Sequence, residues 1–244
     1  MIALSETALD PAPRMDCSAG DWLRMLQFGD SALPTGAFAF SHGLESALER
    51  RVVHDHKTLQ SFVKTSMEQS ASGDAVALLV AHDAALKGRV DVAIKADRYV
   101  FNRKLNEEGR VMSIRTGKKL TEMASRITSH QSLQEWLRLI TTNATHGTHP
   151  VSLAMVFAAL GLPAQGCFAV HQYGVATAIL SAALRLMKID HFGTQAILFE
   201  LTGDIPAAFL QSSSKSLEDM SNYAPVIDLL AATHVKAHIR MFMN

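Results

Sequence analysis

The hydrophobic positions of this chain recur at helical spacing along most of its length. One apolar set follows Asp55 and consists of Leu59, Phe62, Val63 and Met67. A second set lies between Asp74 and Gly88 and consists of Val76, Leu79, Val80 and Leu86. Spacings of three, four and seven or eight residues place each set on one face of a helix. Alternating apolar and polar runs and Asn-Gly or Asp-Gly turns, which indicate strands and hairpins, are nearly absent.

Residues that start helices support this pattern. Asp55 and Asp74 precede apolar sets and are predicted N-caps, while Ser132 and Glu135 have the spacing of a capping box. Pro150 suits the first turn of a helix. The pattern predicts an all-α fold, a single-domain helical bundle of about eight to ten helices. Residues 1–20 are predicted to be a flexible segment, and residues 21–244 an all-helical domain with a mobile C-terminal tail.

A long segment without charged residues could be either a membrane segment or part of a buried core. Residues 139–184 contain no Asp, Glu, Lys or Arg, as a membrane segment would. However, residues 161–166, Gly-Leu-Pro-Ala-Gln-Gly, interrupt it, and the apolar run before this break is too short to cross a bilayer. We therefore expect two buried core helices and no membrane contact.

The charge balance argues against nucleic acid and acidic membranes as partners and favours other proteins. The chain has 23 basic and 23 acidic residues among 244, so its net charge is zero with neutral histidines. A neutral chain has no bulk electrostatic attraction to nucleic acid or to an acidic membrane, and it associates readily with other proteins. Cys17 and Cys167 do not form a disulfide framework, and the N-terminal residues lack the pattern of a signal peptide. We expect a cytoplasmic protein.

A turn-rich segment, residues 30–45, contains the pair Ser41-His42 and is called the signature segment below. Ala39-Phe-Ser-His-Gly43 partly matches the nucleophile elbow of serine hydrolases. That elbow needs a strand before the serine, and none is predicted here. Adjacent residues of a helix also point about 100° apart. Both observations argue against the alternative of a hydrolase that uses Ser41.

Histidine pairs offer a second chemical alternative. His54 and His56, and likewise His146 and His149, are close enough in sequence to share a nickel ion, because imidazole binds such metals. Neither pair comes with further ligands at a recognised spacing, so capping and surface positions are the simpler explanation. A direct nickel-binding chaperone remains the alternative function.

The middle of the chain is basic, with acidic residues interleaved. Its cations are Arg103, Lys104, Arg110, Arg115, Lys118, Lys119 and Arg126. This spacing indicates either a solvated helix face or a surface for an acidic partner. The sequence around Gly117 lacks the remaining residues of a phosphate-binding loop, so no nucleotide site is predicted.

Four blocks resemble the urease accessory protein UreF family. The first is the signature segment, which fits D-S-x-x-P-x-G-x-F-x-x-S-x-G-L-E through Asp30, Pro34, Gly36, Phe38, Ser41, Gly43 and Glu45. The second is similar to E-x-R-x-x-S-x-x-x-G and contains Glu108, Arg110, Ser113 and Gly117. The third is His149-Pro150 with the later Gly161-Leu162. The fourth is the C-terminal block, with Asp228, His234, Arg240 and Phe242.

The resemblance implies a non-catalytic role in urease maturation. Members of the family are all-α and dimeric. They link a UreG-type GTPase and a UreD/UreH-type accessory protein to apo-urease for GTP-dependent nickel insertion. It implies that this chain holds no cofactor stably, since nickel and GTP act through the partner proteins. Its candidate partner-binding residues are the matched residues of the first and second blocks, together with His234, Arg240 and Phe242 of the fourth.

The C-terminal half departs from the family pattern at several positions. They are His171, Lys188, Asp190, His191 and Val235. These differences indicate a divergent member of the family.

Overall fold

The computed structural model describes residues 16–30, 32–36, 40–221, 224, 226–227 and 229–230. Within these residues it contains no strand and eleven α-helices, of which ten have nine or more residues. They are α1 (Ala19–Gly29), α2 (Leu44–Glu49), α3 (His56–Ser72), α4 (Asp74–Leu86), α5 (Val90–Arg103), α6 (Glu107–Thr128), α7 (Gln131–Thr141), α8 (His149–Ala159), α9 (Ala164–Leu186), α10 (His191–Thr202) and α11 (Ile205–Ser213). A short 3-10 helix covers Leu217–Asp219. The predicted all-α fold is confirmed.

The two most buried helices, α4 and α8, lie against each other at the centre. From Pro150 to Ala158 every residue of α8 is buried, and α4 buries most of its alanines and valines. Helices that are apolar on all sides are stable only when other helices surround them. Helices α5 and α6 pack against this pair, and α7 packs against α6 and α8.

Helix α9 joins two hydrophobic clusters. Its first part contributes Cys167 to a cluster formed with α1 and α4 to α8. Its second part contributes Ala176 and Ile179 to a cluster formed with α2, α3 and α10. The helix is long and apolar enough to cross a membrane, with a mean hydropathy of 1.4 over its most apolar 18 residues. Half of these residues are buried inside the protein. This burial is typical of a core helix in a soluble protein, as expected for the uncharged segment.

The predicted helix starts are confirmed in part. Asp55 accepts a hydrogen bond from the Thr58 amide at 2.8 Å, and Pro150 lies in the first turn of α8. Asp74 was predicted to be a cap, but it is the first residue of α4, after Gly73, and its carboxylate pairs with Lys104.

The predicted capping box at the start of α7 is also wrong. His130 is the N-cap of this helix, and Glu135 instead binds Arg138 through two hydrogen bonds of 2.7 and 2.8 Å. The bidentate pair explains why the Glu135 side chain is not turned back toward the helix start.

We predict that the Phe157→Ala variant lowers the free energy of unfolding by about 3–5 kcal/mol, because it leaves a cavity at the centre of the protein. Phe157 is fully buried in α8. Phe199→Ala is the matched control, since this phenylalanine is 86% exposed. Urea unfolding followed by circular dichroism measures both values. Equal losses for the two variants would contradict the packing described here.

Candidate functional site

A cavity of about 270 Å³ lies where the signature segment meets the first half of α6 and the start of α8. Helices α1, α3 and α9 supply further walls. Among the predicted partner-binding residues, Asp30, Gly43, Glu108 and Ser113 line it. The structure therefore brings together two sequence blocks that are more than 60 positions apart.

The signature segment is built from a turn and left-handed backbone. Asp30 ends α1, and its carboxylate accepts a hydrogen bond of 2.8 Å from the Ala32 amide. Gly36 and Gly43 have φ angles of 83° and 81°, which glycine adopts without strain. Pro34 is exposed and does not line the cavity.

The Ser41-His42 pair does not form a catalytic dyad. Ser41 is only 2% exposed, whereas His42 lines the cavity. Within the described part of the chain, no hydrogen bond joins the Ser41 hydroxyl to an imidazole. Glu45 is also buried, at 8% exposed, on the first turn of α2. Both side chains therefore lie inside the protein.

The α6 block packs against the start of α8. The Ser113 hydroxyl accepts a hydrogen bond of 3.2 Å from the His149 amide. A Cβ atom at Gly117 would overlap the Gly147 carbonyl and lie 2.7 Å from the His149 nitrogen. Glycine is thus required for α6 to approach this loop. Arg110 is half-buried, with its guanidinium 5.4 Å from the centre of the Phe101 ring.

The loop before α8 is held by the buried carboxylate of Asp97, which is fully excluded from solvent. Its two oxygens accept five hydrogen bonds of 2.6–3.0 Å from the hydroxyls and amides of residues 145–148. A carboxylate is stable in the interior only when such donors replace its water. Asp97 thereby fixes the position of His149, the next residue along the chain.

Three imidazoles share the cavity. The rings of His149 and His171 have centroids 6.1 Å apart, and His42 is a third lining residue. The Lys104–Asp74 salt bridge lies beside them. His171 is 6% exposed, while His42 and His149 are half-buried because they also face the cavity.

Burial lowers the pKa of all three imidazoles, because it removes the water that stabilises the charged form. The pKa of His42 falls to about 4, with the nearby Lys104 ammonium as the next cause. The pKa of His149 also falls to about 4, against the opposing effect of Asp74. That of His171 falls to about 3. All three are neutral at physiological pH, so each ring has one unprotonated nitrogen.

The cavity contains a Ser-His pair that the sequence did not predict. The hydroxyl of Ser70 lies 3.0 Å from Nε2 of His171, across 101 positions of the chain. An imidazole with a pKa near 3 is a poor base at neutral pH, so it would remove a proton from serine inefficiently. The pair is better suited to fixing the ring orientation than to catalysis.

The predicted histidine pairs are separated or exposed. The His146 ring stacks on Phe101 with centroids 3.7 Å apart, whereas His149 faces the cavity. His54 and His56 are both exposed, and Nε2 of His56 lies 3.3 Å from the Gly193 carbonyl. Among the described residues, no group of three or more His, Cys, Asp or Glu side chains is arranged to hold a metal ion.

Several candidate residues lie outside the described part of the chain. They are Phe38, His234, Arg240 and Phe242, together with Val235 of the departures. The other departures divide into two groups. His171 joins the cavity, while Lys188, Asp190 and His191 are exposed near the start of α10, where Asp190 is the N-cap.

The described residues form an all-α fold with a cavity lined by imidazoles of lowered pKa and without a catalytic Ser-His dyad at Ser41 and His42. Comparison with known proteins identifies the family, because the UreF family model matches residues 53–202. The chain belongs to the UreF family. It is therefore an accessory protein and not a catalytic enzyme.

Three relatives illustrate the similarity. The urease accessory protein UreF 2 of Brucella canis is 50% identical over 222 residues, 91% of this chain and 91% of that protein. The urease accessory protein UreF 1 of Brucella melitensis is 50% identical over 222 residues, which cover 91% of this chain and 92% of that protein. UreF of Yersinia pestis strain Pestoides F is 49% identical over 227 residues, 93% of this chain and all of that protein.

We predict that Gly117→Ala lowers the free energy of unfolding by about 2 kcal/mol, because the added methyl group pushes α6 away from the Gly147 carbonyl. Gly174→Ala on α9 is the matched control, since a Cβ there meets no atom within 4 Å. Alanine is the better helix former, so this control should gain up to about 1 kcal/mol. Thermal and urea unfolding measure both. Stabilisation by Gly117→Ala would disprove the close approach.

We also predict that the fold loses stability as the pH falls from about 6.5 to about 4. In this window the unfolded chain protonates the cavity imidazoles, whereas the folded chain does not. A buried histidine contributes up to about 1.4 kcal/mol per pH unit. His171→Gln should therefore reduce the slope of unfolding free energy against pH.

His191→Gln is the control for this pH experiment, because it removes an exposed imidazole from the start of α10. Urea unfolding at half-unit pH steps measures the slopes. If His171→Gln has the wild-type slope, His171 is not held neutral in the cavity.

Proposed function

We propose that this chain is a non-catalytic scaffold for urease maturation. In this role it links a UreG-type GTPase and a UreD/UreH-type accessory protein to apo-urease, so that GTP hydrolysis by the GTPase is coupled to nickel insertion. The proposal includes a homodimer that works in the cytoplasm. The observation that carries it is membership of the UreF family, whose relatives named above are urease accessory proteins.

The architecture supports a scaffold in physical terms. A regulator without a nucleotide loop acts through surfaces that bind one conformation of its partner better than another. Helix α6 and the start of α8 form a rigid platform. Ser113 and Gly117 of α6 contact the residues where α8 begins, and Asp97 holds the loop before α8 in place. A rigid binding surface loses little entropy when a partner docks.

The signature segment is the proposed contact region of this platform. Pro34 is its clearest candidate, because it is exposed and outside the cavity. Asp30 is exposed too, although its carboxylate also stabilises the local turn. Ser113 and Gly117 have internal contacts and would act on a partner through the position of α6.

A direct nickel chaperone is the second candidate. The observation that favours it is that His42, His149 and His171 line one cavity as neutral imidazoles, the form that binds metals. Against it, the described residues contain no group of three such side chains arranged to hold a metal ion. The sequence had pointed to other pairs, and His146 is now separated from His149 by its stacking on Phe101. Equilibrium dialysis with nickel distinguishes the two candidates, since a carrier needs a Kd near or below micromolar, about 8 kcal/mol.

We predict that the purified chain elutes as a dimer and recovers both the UreD/UreH-type protein and the UreG-type GTPase of its organism. Pro34→Ala should reduce partner recovery about tenfold or more and leave the thermal midpoint unchanged, because its side chain is exposed. Glu49→Ala, an exposed change outside the signature segment, should bind as the wild type does. Recovery of neither partner by the wild type, or normal urease activation in cells lacking the chain, would refute the scaffold.

A further inference from the structure

The solvent face of α6 has a row of cations. Helical geometry of about 100° per residue places them within about one third of the circumference. The opposite side, with Leu120 and Ala124, is buried against the rest of the protein. We call this row the basic face, and its members are Arg115, Lys118, Lys119 and Arg126, all exposed.

Most of the charge on this face is uncompensated. Glu122 pairs with Lys119 at 3.4 Å. Arg115, Lys118 and Arg126 form no salt bridge with any of the described residues. The face thus has four cations and one anion, although the whole chain has a net charge of zero.

Neither helix stability nor internal pairing explains these positions. A cation in the last turn, such as Arg126, complements the helix dipole, but Arg115 and Lys118 lie in the middle of the helix, where the dipole has little effect. Some cations elsewhere are paired, such as Lys87 and Arg89 with Asp83, and others, such as Arg98, are exposed without a salt bridge among the described residues, but on α6 the unpaired cations lie together on one face. Clustered like charges cost free energy unless something of opposite charge binds them.

The helix that carries the basic face is also held rigidly by its packing. Helix α6 has 22 residues, and its buried side is fixed by the close contact of Gly117 with the loop before α8. The spacing between the cations is therefore set before any partner arrives. A preorganised charge pattern favours both association rate and specificity.

The chemistry of the face favours a protein over nucleic acid or a membrane. One acidic residue, Glu122, lies among the cations, and Val111, 39% exposed, begins the same row. Nucleic acid and anionic lipid have no cation to place opposite Glu122 and no apolar side chain for Val111, whereas an acidic protein surface can supply both. A neutral chain also lacks the long-range attraction that nucleic acid and anionic lipid binding depend on.

We propose that the basic face of α6 docks an acidic surface of a partner protein. The inference rests on the proposed function only for the choice of natural test partners. Its occupant is defined by chemistry, as a protein surface rich in carboxylates.

The test compares wild type with Arg115→Glu/Lys118→Glu. Poly-L-glutamate is the first probe, because its use does not depend on the proposed function. We expect wild type to bind it in a salt-dependent manner, as screening weakens exposed charge pairs, and the variant to lose binding. With the purified UreD/UreH-type protein and the UreG-type GTPase, we expect the Kd of one complex to rise about tenfold or more.

Lys57→Glu/Arg98→Glu is the matched control, since it reverses two exposed cations on α3 and α5. This control should bind both probes as the wild type does, and circular dichroism should show that all variants are folded. Equal poly-L-glutamate binding by wild type and variant overturns the inference. So does loss of binding in the control, or binding of a DNA duplex or phosphatidylserine vesicles through Arg115 and Lys118.

The outcomes also separate this inference from the proposed function. If wild type binds neither urease partner but its basic face binds poly-L-glutamate, the scaffold proposal fails and the acidic-partner surface stands. If wild type binds both partners and the charge reversal changes neither Kd, the scaffold stands and the docking face is wrong.

Discussion

The buried carboxylate of Asp97 is the interaction on which the candidate site depends. Five hydrogen bonds from residues 145–148 converge on it, so one side chain of α5 determines the path of the loop between α7 and α8. That loop sets where the central helix α8 begins. It also presents the surface against which Gly117 of α6 packs. Four helices thus take their relative positions from one charged group.

The cavity follows from this arrangement, and its polar groups cost folding free energy. Imidazoles and a Lys104–Asp74 ion pair occupy space that apolar side chains could fill more favourably. Their pKa values keep the histidines uncharged, so the interior tolerates them as hydrogen-bonding groups. Such an interior is suited to recognition, since polar groups define a shape and a binding preference without supplying a strong base.

Local sequence signals predicted the helices well, because their causes lie within a few residues. Asp55 caps α3 by accepting a hydrogen bond from the Thr58 amide three positions away. Pro150 suits the first turn of α8 because its φ angle is fixed and it has no amide hydrogen to leave unpaired. The two wrong caps failed where side chains found other partners. The Asp74 carboxylate pairs with Lys104, 30 positions away, and Glu135 pairs with Arg138.

The candidate site was harder to predict, because its contacts join distant parts of the chain. The donors to Asp97 come 48–51 positions later, and no local pattern marks Asp97 as their acceptor. The Ser70–His171 contact spans 101 positions. Resemblance identified Ser113 and Gly117 as important, yet it could not show that both contact the start of α8.

Helix α9 has a consequence for how the chain folds during synthesis. The apolar side of α3 packs mainly on α9, which follows about 100 residues later. A ribosome makes about 5–20 residues per second, so this side stays uncovered for about 5–20 seconds after α3 is made. During that time the nascent chain exposes Leu59, Phe62 and Val63 and is open to aggregation or to chaperone binding. The last helices therefore complete the fold, and truncation before α9 would leave the α2–α3 region without its core.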